Sequence, residues 1–194
     1  MTTTPAIGYR ENLPITDPTA LVDTEIQVPD PGDHDLLVEV QAVSVNPVDV
    51  KLRAGAATSE LRTLGFDAAG TVVATGPAVT LFRPGDEVYY AGSIARPGSN
   101  QRLHLVDERI TGRKPATLSF ADAASLPLVS LTAWECLLDR LALTADSSGT
   151  LLVVGATGGV GALVLQLAEA MLPGVTVIAT ASSPERAAWA RELG

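Results

Sequence analysis

Cysteine is nearly absent from this chain: Cys136 is the only one in 194 residues. One thiol makes neither an internal disulfide nor a multi-thiolate zinc site, and its setting in "TAWECLL" reads as that of a small buried apolar residue. Histidine is almost as scarce. His34 lies in the acidic turn "GDHDL" and His104 in a strand-like run, so neither belongs to a triad or a ligand cluster. Aromatic residues are 4% of the chain, which leaves Val, Leu and Ala to fill the interior. Basic residues number 13 against 22 acidic ones, and a net charge of −9 argues against nucleic acid as a partner. No positive segment followed by an apolar run opens the chain. "MTTTPAIGYRENLP" is polar and broken by Pro5 and Pro14, so the expected location is cytoplasmic.

One long stretch, residues 147–168, lacks charge altogether and has the length of a membrane span. Glycines at 155, 158, 159 and 161 divide it, so a buried strand, a tight turn and a buried helix are expected, with no membrane partner.

What is present divides in two. Up to about residue 115 the chain is β-rich: "TALVDTEIQV" (19–28), "LLVEVQAVSV" (36–45), "GTVVATG" (70–76), "DEVYYAG" (86–92) and "RLHLVD" (102–107) are separated by turn residues, as in a sandwich or a partly open barrel. "PGDEV" reads as a turn, with Gly85 giving the backbone its freedom. Ser119 and Asp122 then form a capping-box pattern. Leu128, Leu131, Trp134, Leu137, Leu138 and Leu141 recur at three- and four-residue steps, which predicts a helix over 127–143 with a wide buried face. A strand at 150–155, a helix at 159–171, a strand at 175–180 and a helix opened by Ser183 and Pro184 complete the pattern. The expected fold is α/β: a β-rich domain over 1–125, then the beginning of a doubly wound parallel sheet over 126–194.

"LLVVGATGGVG" (151–161) joins the first of those parallel strands to its helix. In G-x-G-x-x-G register Ala156 takes the first position, Gly158 the second and Gly161 the third, with Thr157, Gly159 and Val160 between them. Small residues let the backbone turn, approach a pyrophosphate and pack the helix on the strand, so dinucleotide binding is expected. An acid that binds a free ribose 2′-hydroxyl belongs at the end of the second strand. Thr180, Ala181, Ser182 and Ser183 stand there, with no acid before Glu185. Hydroxyls at Ser182 and Ser183, with Arg186 one turn in, suit a 2′-phosphate and favour NADP(H) over NAD(H). The plainer alternative is a helix cap at Ser183 and a solvated Arg186.

The stretches "VSVNPVDVKLRAG" (43–55), "LGFDAAGTVVATG" (64–76), "FRPGDEVYYAG" (82–92), "RKPATLSFADAASLPLVSLTAWECL" (113–137) and "VVGATGGVGALVLQLA" (153–168) resemble, in the same order, the medium-chain dehydrogenase/reductase superfamily. The likeness is to its zinc-independent, quinone oxidoreductase-like members. The resemblance implies a GroES-like partly open β-barrel domain followed by a Rossmann domain. Where zinc alcohol dehydrogenases carry a cysteine ligand, this chain has Asn46; their Gly-His-Glu is Gly65, Phe66 and Asp67; no cysteine falls at Leu128–Ser130, and the four-cysteine zinc lobe is absent. No metal site is therefore expected.

The resemblance further implies hydride transfer to a small-molecule quinone or to a C=C bond conjugated to a carbonyl. It places Asn46 beside the nicotinamide and substrate, Asp49 next to it on a short helix, Thr132 at the nicotinamide ribose and Tyr90 in the pocket wall. Each has a plainer alternative: a turn at Asn46, a helix cap at Asp49, an ordinary helical Thr132, a packed Tyr90. A non-catalytic nucleotide-binding or interaction protein that keeps the reductase fold is the alternative function. A complete doubly wound sheet needs further strands beyond position 180. The chain is accordingly expected to be an N-terminal part, poorly active alone, with open strand edges that invite a homo-oligomer.

Overall fold

A computed structural model describes residues 1–55, 58 and 60–194. The chain divides into two compact units, Met1–Leu128 and Val129–Gly194.

The first unit is built on β1 (Thr2–Tyr9), β2 (Val22–Val28), β3 (Asp35–Ser44), β4 (Arg62–Thr63), β5 (Asp67–Thr75), β6 (Glu87–Ala91), β7 (Leu103–Asp107) and β8 (Thr111–Arg113). A five-stranded antiparallel sheet runs β7-β3-β5-β6-β8, and a three-stranded sheet runs β2-β1-β4. The two sheets do not close into a continuous barrel; a single bridge, Ala6 to Gln101, joins β1 to the segment before β7. Alternation puts Leu36, Val38, Ala68, Val72, Val88, Tyr90 and Val106 on one face of the large sheet, where they pack together. The opposite face carries Ala69 against Ala123 and Ala124 of the short α2 (Phe120–Ala124), which Ser119 caps through the Asp122 N–H. Helix α1 (Pro47–Gly55) connects β3 to β4.

β1 was not expected, because Pro5 lies in its middle. Pro5 is accommodated because its carbonyl faces away from β2 and accepts from the Arg102 N–H at 3.0 Å, so the missing N–H removes no ladder bond to β2.

The second unit takes up most of α3 (Pro127–Trp134), then β9 (Gly149–Val153), α4 (Gly159–Met171), β10 (Val175–Ala179) and α5 (Pro184–Leu193). β9 and β10 pair in parallel, Gly149 opposite Val175. Val153, Val164, Leu165, Ala168 and Ala190 form the core of this βαβα unit. Three sequence expectations fail here. The helix expected over 127–143 continues after Trp134 as a π-helix, Glu135–Arg140, and Leu131, Trp134 and Leu141 are exposed instead of forming one buried face. Cys136, expected inside, is exposed. Leu152 and Val154 are 59% and 77% exposed, because a two-stranded sheet with α4 on one face covers only alternate residues.

Candidate active site

Asn46, Asp49 and Asp67 form a buried polar group in the first unit. The turn from β3 into α1 sets the first two. Asp49 lies in the first turn of α1, and its Oδ2 accepts from the Asn46 backbone N–H at 2.8 Å, while Oδ1 accepts from the Gly65 N–H at 2.9 Å. Gly65 sits at φ +103°, and a Cβ there would lie 2.8 Å from the Asn100 nitrogen, so the position both needs glycine's backbone freedom and leaves no room for a side chain.

Asp67, the first residue of β5, is fully buried. Its Oδ2 accepts from Asn46 Nδ2 at 2.7 Å and its Oδ1 from the Leu128 N–H at 2.8 Å. Burial pushes this carboxyl up to about 6; the hydrogen bonds from Asn46 and Leu128 pull it back, and the Asp49 charge adds a smaller upward push. Asp67 was noted in the sequence only as a departure from a zinc motif. Its carboxylate in an otherwise apolar strand start, "LGFDAAG", was the available signal.

Tyr90 is not brought to this group. Its neighbour across the ladder is Ala68, so it points to the opposite sheet face from Asp67 and packs in the core with Val38 and Val88. Its hydroxyl is 2.9 Å from Nδ1 of buried His104, with the rings stacked 5.5 Å apart. His104 Nε2 lies 3.0 Å from the Pro97 carbonyl, which only accepts, so Nε2 donates; with burial keeping the imidazole neutral, Nδ1 accepts from Tyr90. Burial holds His104 down at about 4 and pushes the Tyr90 phenol up. The expectation that Tyr90 lines a pocket is corrected: its polar atom is used inside the sheet core.

In the second unit the glycine loop runs from β9 into α4. Gly155 makes its left-handed turn, at φ +70°, and not Ala156, which is fully buried. Gly158 is the N-cap of α4, and no side chain caps the helix there. Gly159, Val160 and Gly161 follow as its first turn, preceded by half-buried Thr157. A Cβ on Gly161 would come within 2.6 Å of the Gly155 carbonyl oxygen, so this glycine is where helix and loop backbones meet. At Gly158 the corresponding distance is 3.4 Å, an ordinary contact. Thr180, just past β10, accepts from the Gly155 N–H through Oγ1 at 2.9 Å and ties the loop to the second strand. Ser182 is exposed; Ser183 is the N-cap of α5 and accepts from the Arg186 N–H at 3.3 Å. Arg186 is exposed and its guanidinium makes no ion pair among the described residues. Thr132 is half-buried on α3. An open cleft of about 490 Å³ runs along the loop, lined among others by Cys136, Leu152, Gly155, Gly158 and Gly161.

Among the described residues, no three His, Cys, Asp or Glu side chains gather to hold a metal ion, and no helix is long and apolar enough to cross a membrane.

Comparison with known proteins agrees with this architecture. Residues 32–127 match the alcohol dehydrogenase GroES-like domain. Such a domain followed by a parallel βαβ unit with a glycine loop defines the class, an α/β protein built like the alcohol dehydrogenases and their reductase kin. The chain belongs to the medium-chain dehydrogenase/reductase superfamily. It is 42% identical over 192 residues to the zinc-type alcohol dehydrogenase-like protein of Staphylococcus aureus (strain COL), an alignment covering 97% of this chain and 57% of that one. To the chloroplastic NADPH-dependent alkenal/one oxidoreductase of Arabidopsis thaliana it is 40% identical over 183 residues, covering 89% and 46%. The solved quinone oxidoreductase of Coxiella burnetii superposes with a TM-score of 0.84 at 30% identity, over 100% of this chain and 61% of that one. The chain thus spans about half the length of the curated relatives it matches.

Proposed function

We propose that this chain carries the substrate-side domain and the dinucleotide loop of an NADPH-dependent, zinc-independent oxidoreductase that acts on a quinone or an α,β-unsaturated carbonyl. The observation that carries the reading is the turn from β9 into α4. Its helix N-terminus lacks a side-chain cap, and glycines stand at the turn, the cap and the point of close approach. Backbone N–H groups of Gly159, Val160 and Gly161 are thereby available to an anion, the chemistry a pyrophosphate requires.

The residues at the positions that the resemblance matches to the ligands of zinc alcohol dehydrogenases do not suit zinc. Asn46 and Phe66 offer neither thiolate nor imidazole, and Leu128–Ser130 supplies no soft ligand. Polarising a substrate carbonyl then falls to hydrogen-bond donors other than the Asn46 amide, whose NH2 is engaged by Asp67. Asn46, fixed by Asp49 and Asp67, is the side chain we assign beside the nicotinamide and substrate, with Asp49 holding its backbone and Thr132 assigned to the nicotinamide ribose. When bound, NADPH supplies the hydride. Ser182, Ser183 and Arg186 are assigned to the 2′-phosphate: Ser183 is occupied as a cap, which leaves the Arg186 guanidinium as the main charge. The setting we assign is the cytoplasm, and the exposed apolar face of β9 favours a homo-oligomer.

Fluorescence titration of the 194-residue chain with NADPH and NADH tests the reading. Saturable binding with NADPH the tighter ligand is expected, and failure to bind either would overturn it. Arg186→Glu should weaken NADPH about tenfold or more while leaving NADH within about threefold; equal losses for both cofactors would remove the 2′-phosphate assignment. A non-catalytic nucleotide binder is distinguished by tight NADPH binding without oxidation of the cofactor by any quinone or enone, even in a protein of the relatives' full length.

A further inference from the structure

Asp67 lies against Asn46 without itself reaching solvent, and its two oxygens are used differently. Oδ1 accepts the Leu128 N–H, and Oδ2 accepts one hydrogen of the Asn46 amide. An ionised carboxylate only accepts, so it decides which end of the Asn46 amide faces it: the NH2 must turn inward. The carbonyl Oδ1 of Asn46 is then left without a hydrogen-bond partner among the described residues. Every fully buried side-chain nitrogen or oxygen among those residues has a partner, so the unpaired Oδ1 keeps some contact with solvent.

We infer that Asp67 is a positioning residue: it fixes the polarity of the Asn46 amide, so that the site presents an outward acceptor and selects ligand groups that carry an N–H or O–H donor. This rests on the assignment of Asn46 to the nicotinamide and substrate side. A protonated Asp67 could donate to Asn46 Oδ1 instead, and the amide would turn over to present its NH2 outward. The carboxyl is raised to about 6, so it is ionised at neutral pH and the acceptor faces out. The charge acting on it is Asp49 of α1, while Ser44 of β3 and Ala91 of β6, its ladder neighbours, bring none. The Ser99 hydroxyl lies 3.5 Å from its main-chain carbonyl.

Asp67→Asn is an informative variant, because all the bonds can be kept if the Asn46 amide turns over. The new amide oxygen accepts from the Leu128 N–H and the new NH2 donates to Asn46 Oδ1. On the ¹⁵N-labelled 194-residue chain, the Asn46 side-chain NH2 signals, assigned by their loss in Asn46→Ser, should shift between pH 5 and 8 with a midpoint near 6 in the wild type, a titration that D67N abolishes while keeping a dispersed spectrum. Signals that stay fixed in the wild type, or that titrate alike in D67N, would overturn the proposal. D67N should also weaken NADPH about five- to tenfold while leaving 2′,5′-ADP, which lacks the nicotinamide, unchanged. Equal losses for both ligands would mark general damage and reject positioning. If the wild type binds neither ligand, the cofactor reading fails, and the amide titration still decides the role of Asp67.

Discussion

Asp67 and His104 are both buried, and burial moves them in opposite directions, the acid up to about 6 and the base down to about 4. Both are therefore held closer to neutrality than in water, and their effects on stability have opposite signs. Between its ordinary value and about 6, folded Asp67 binds more protons than the unfolded chain, so its contribution falls as pH rises through that window. His104 binds fewer protons when folded, so its contribution is lost as pH falls from about 6.5 toward 4. Subtracting the urea stability of D67N from that of the wild type at each pH isolates the acid, and the difference should turn against the wild type from pH 4 to 6 and then level off. A flat difference would show that the carboxyl is not raised. Tyr90→Phe removes the donor to His104 Nδ1 and leaves a buried acceptor unpaired, so a loss of about 1–3 kcal/mol in urea unfolding is expected. A change below about 0.5 kcal/mol would mean that water replaces the hydroxyl. The partnership itself was not legible in the sequence, since 14 residues separate Tyr90 from His104 and only sheet pairing brings them together.

Elements whose signals are local were legible. Helix α4 begins and ends where the glycines and the apolar periodicity place it, Ser119 and Ser183 cap the helices that follow them, and β2, β6 and β7 lie within the expected β stretches. Elements that depend on remote partners were not. β1 is hidden by Pro5, whose tolerance depends on which edge faces β2, and the switch to π-helix after Trp134 leaves no mark in the spacing of Leu137 and Leu141. In the glycine loop the pattern located the turn, and the residue with positive φ is Gly155, one before the first position of the motif at Ala156. The two helix glycines should separate packing from binding. Gly161→Ala drives a methyl into backbone and should cost about 1–3 kcal/mol. Gly158→Ala should leave the melting temperature nearly unchanged while weakening NADPH, because its methyl meets no crowded atom of the protein and projects at an uncapped helix N-terminus. Thermal unfolding and cofactor titration of the two variants check this, and a Gly158→Ala chain with unaltered NADPH affinity would count against the loop as the phosphate cradle.

At the scale of the whole molecule, each unit has its own apolar core, the first on one face of the five-stranded sheet and the second between β9, β10 and the helices around them. With a net charge of −9, the dinucleotide of the proposed function would gain nothing from the overall field and would depend on local N–H groups and the Arg186 side chain. The scarcity of sulfur has a practical side as well. The lone Cys136 is exposed and lines the cleft of the glycine loop, so the native chain comes with one addressable attachment point for a reporter dye. Maleimide labelling should stop at one dye per chain without any engineered cysteine, and the emission of the attached fluorophore should change when NADPH is added but not when adenosine is. Mass spectrometry of the labelled chain and a simple emission titration would establish whether this natural tag reads occupancy of the loop directly.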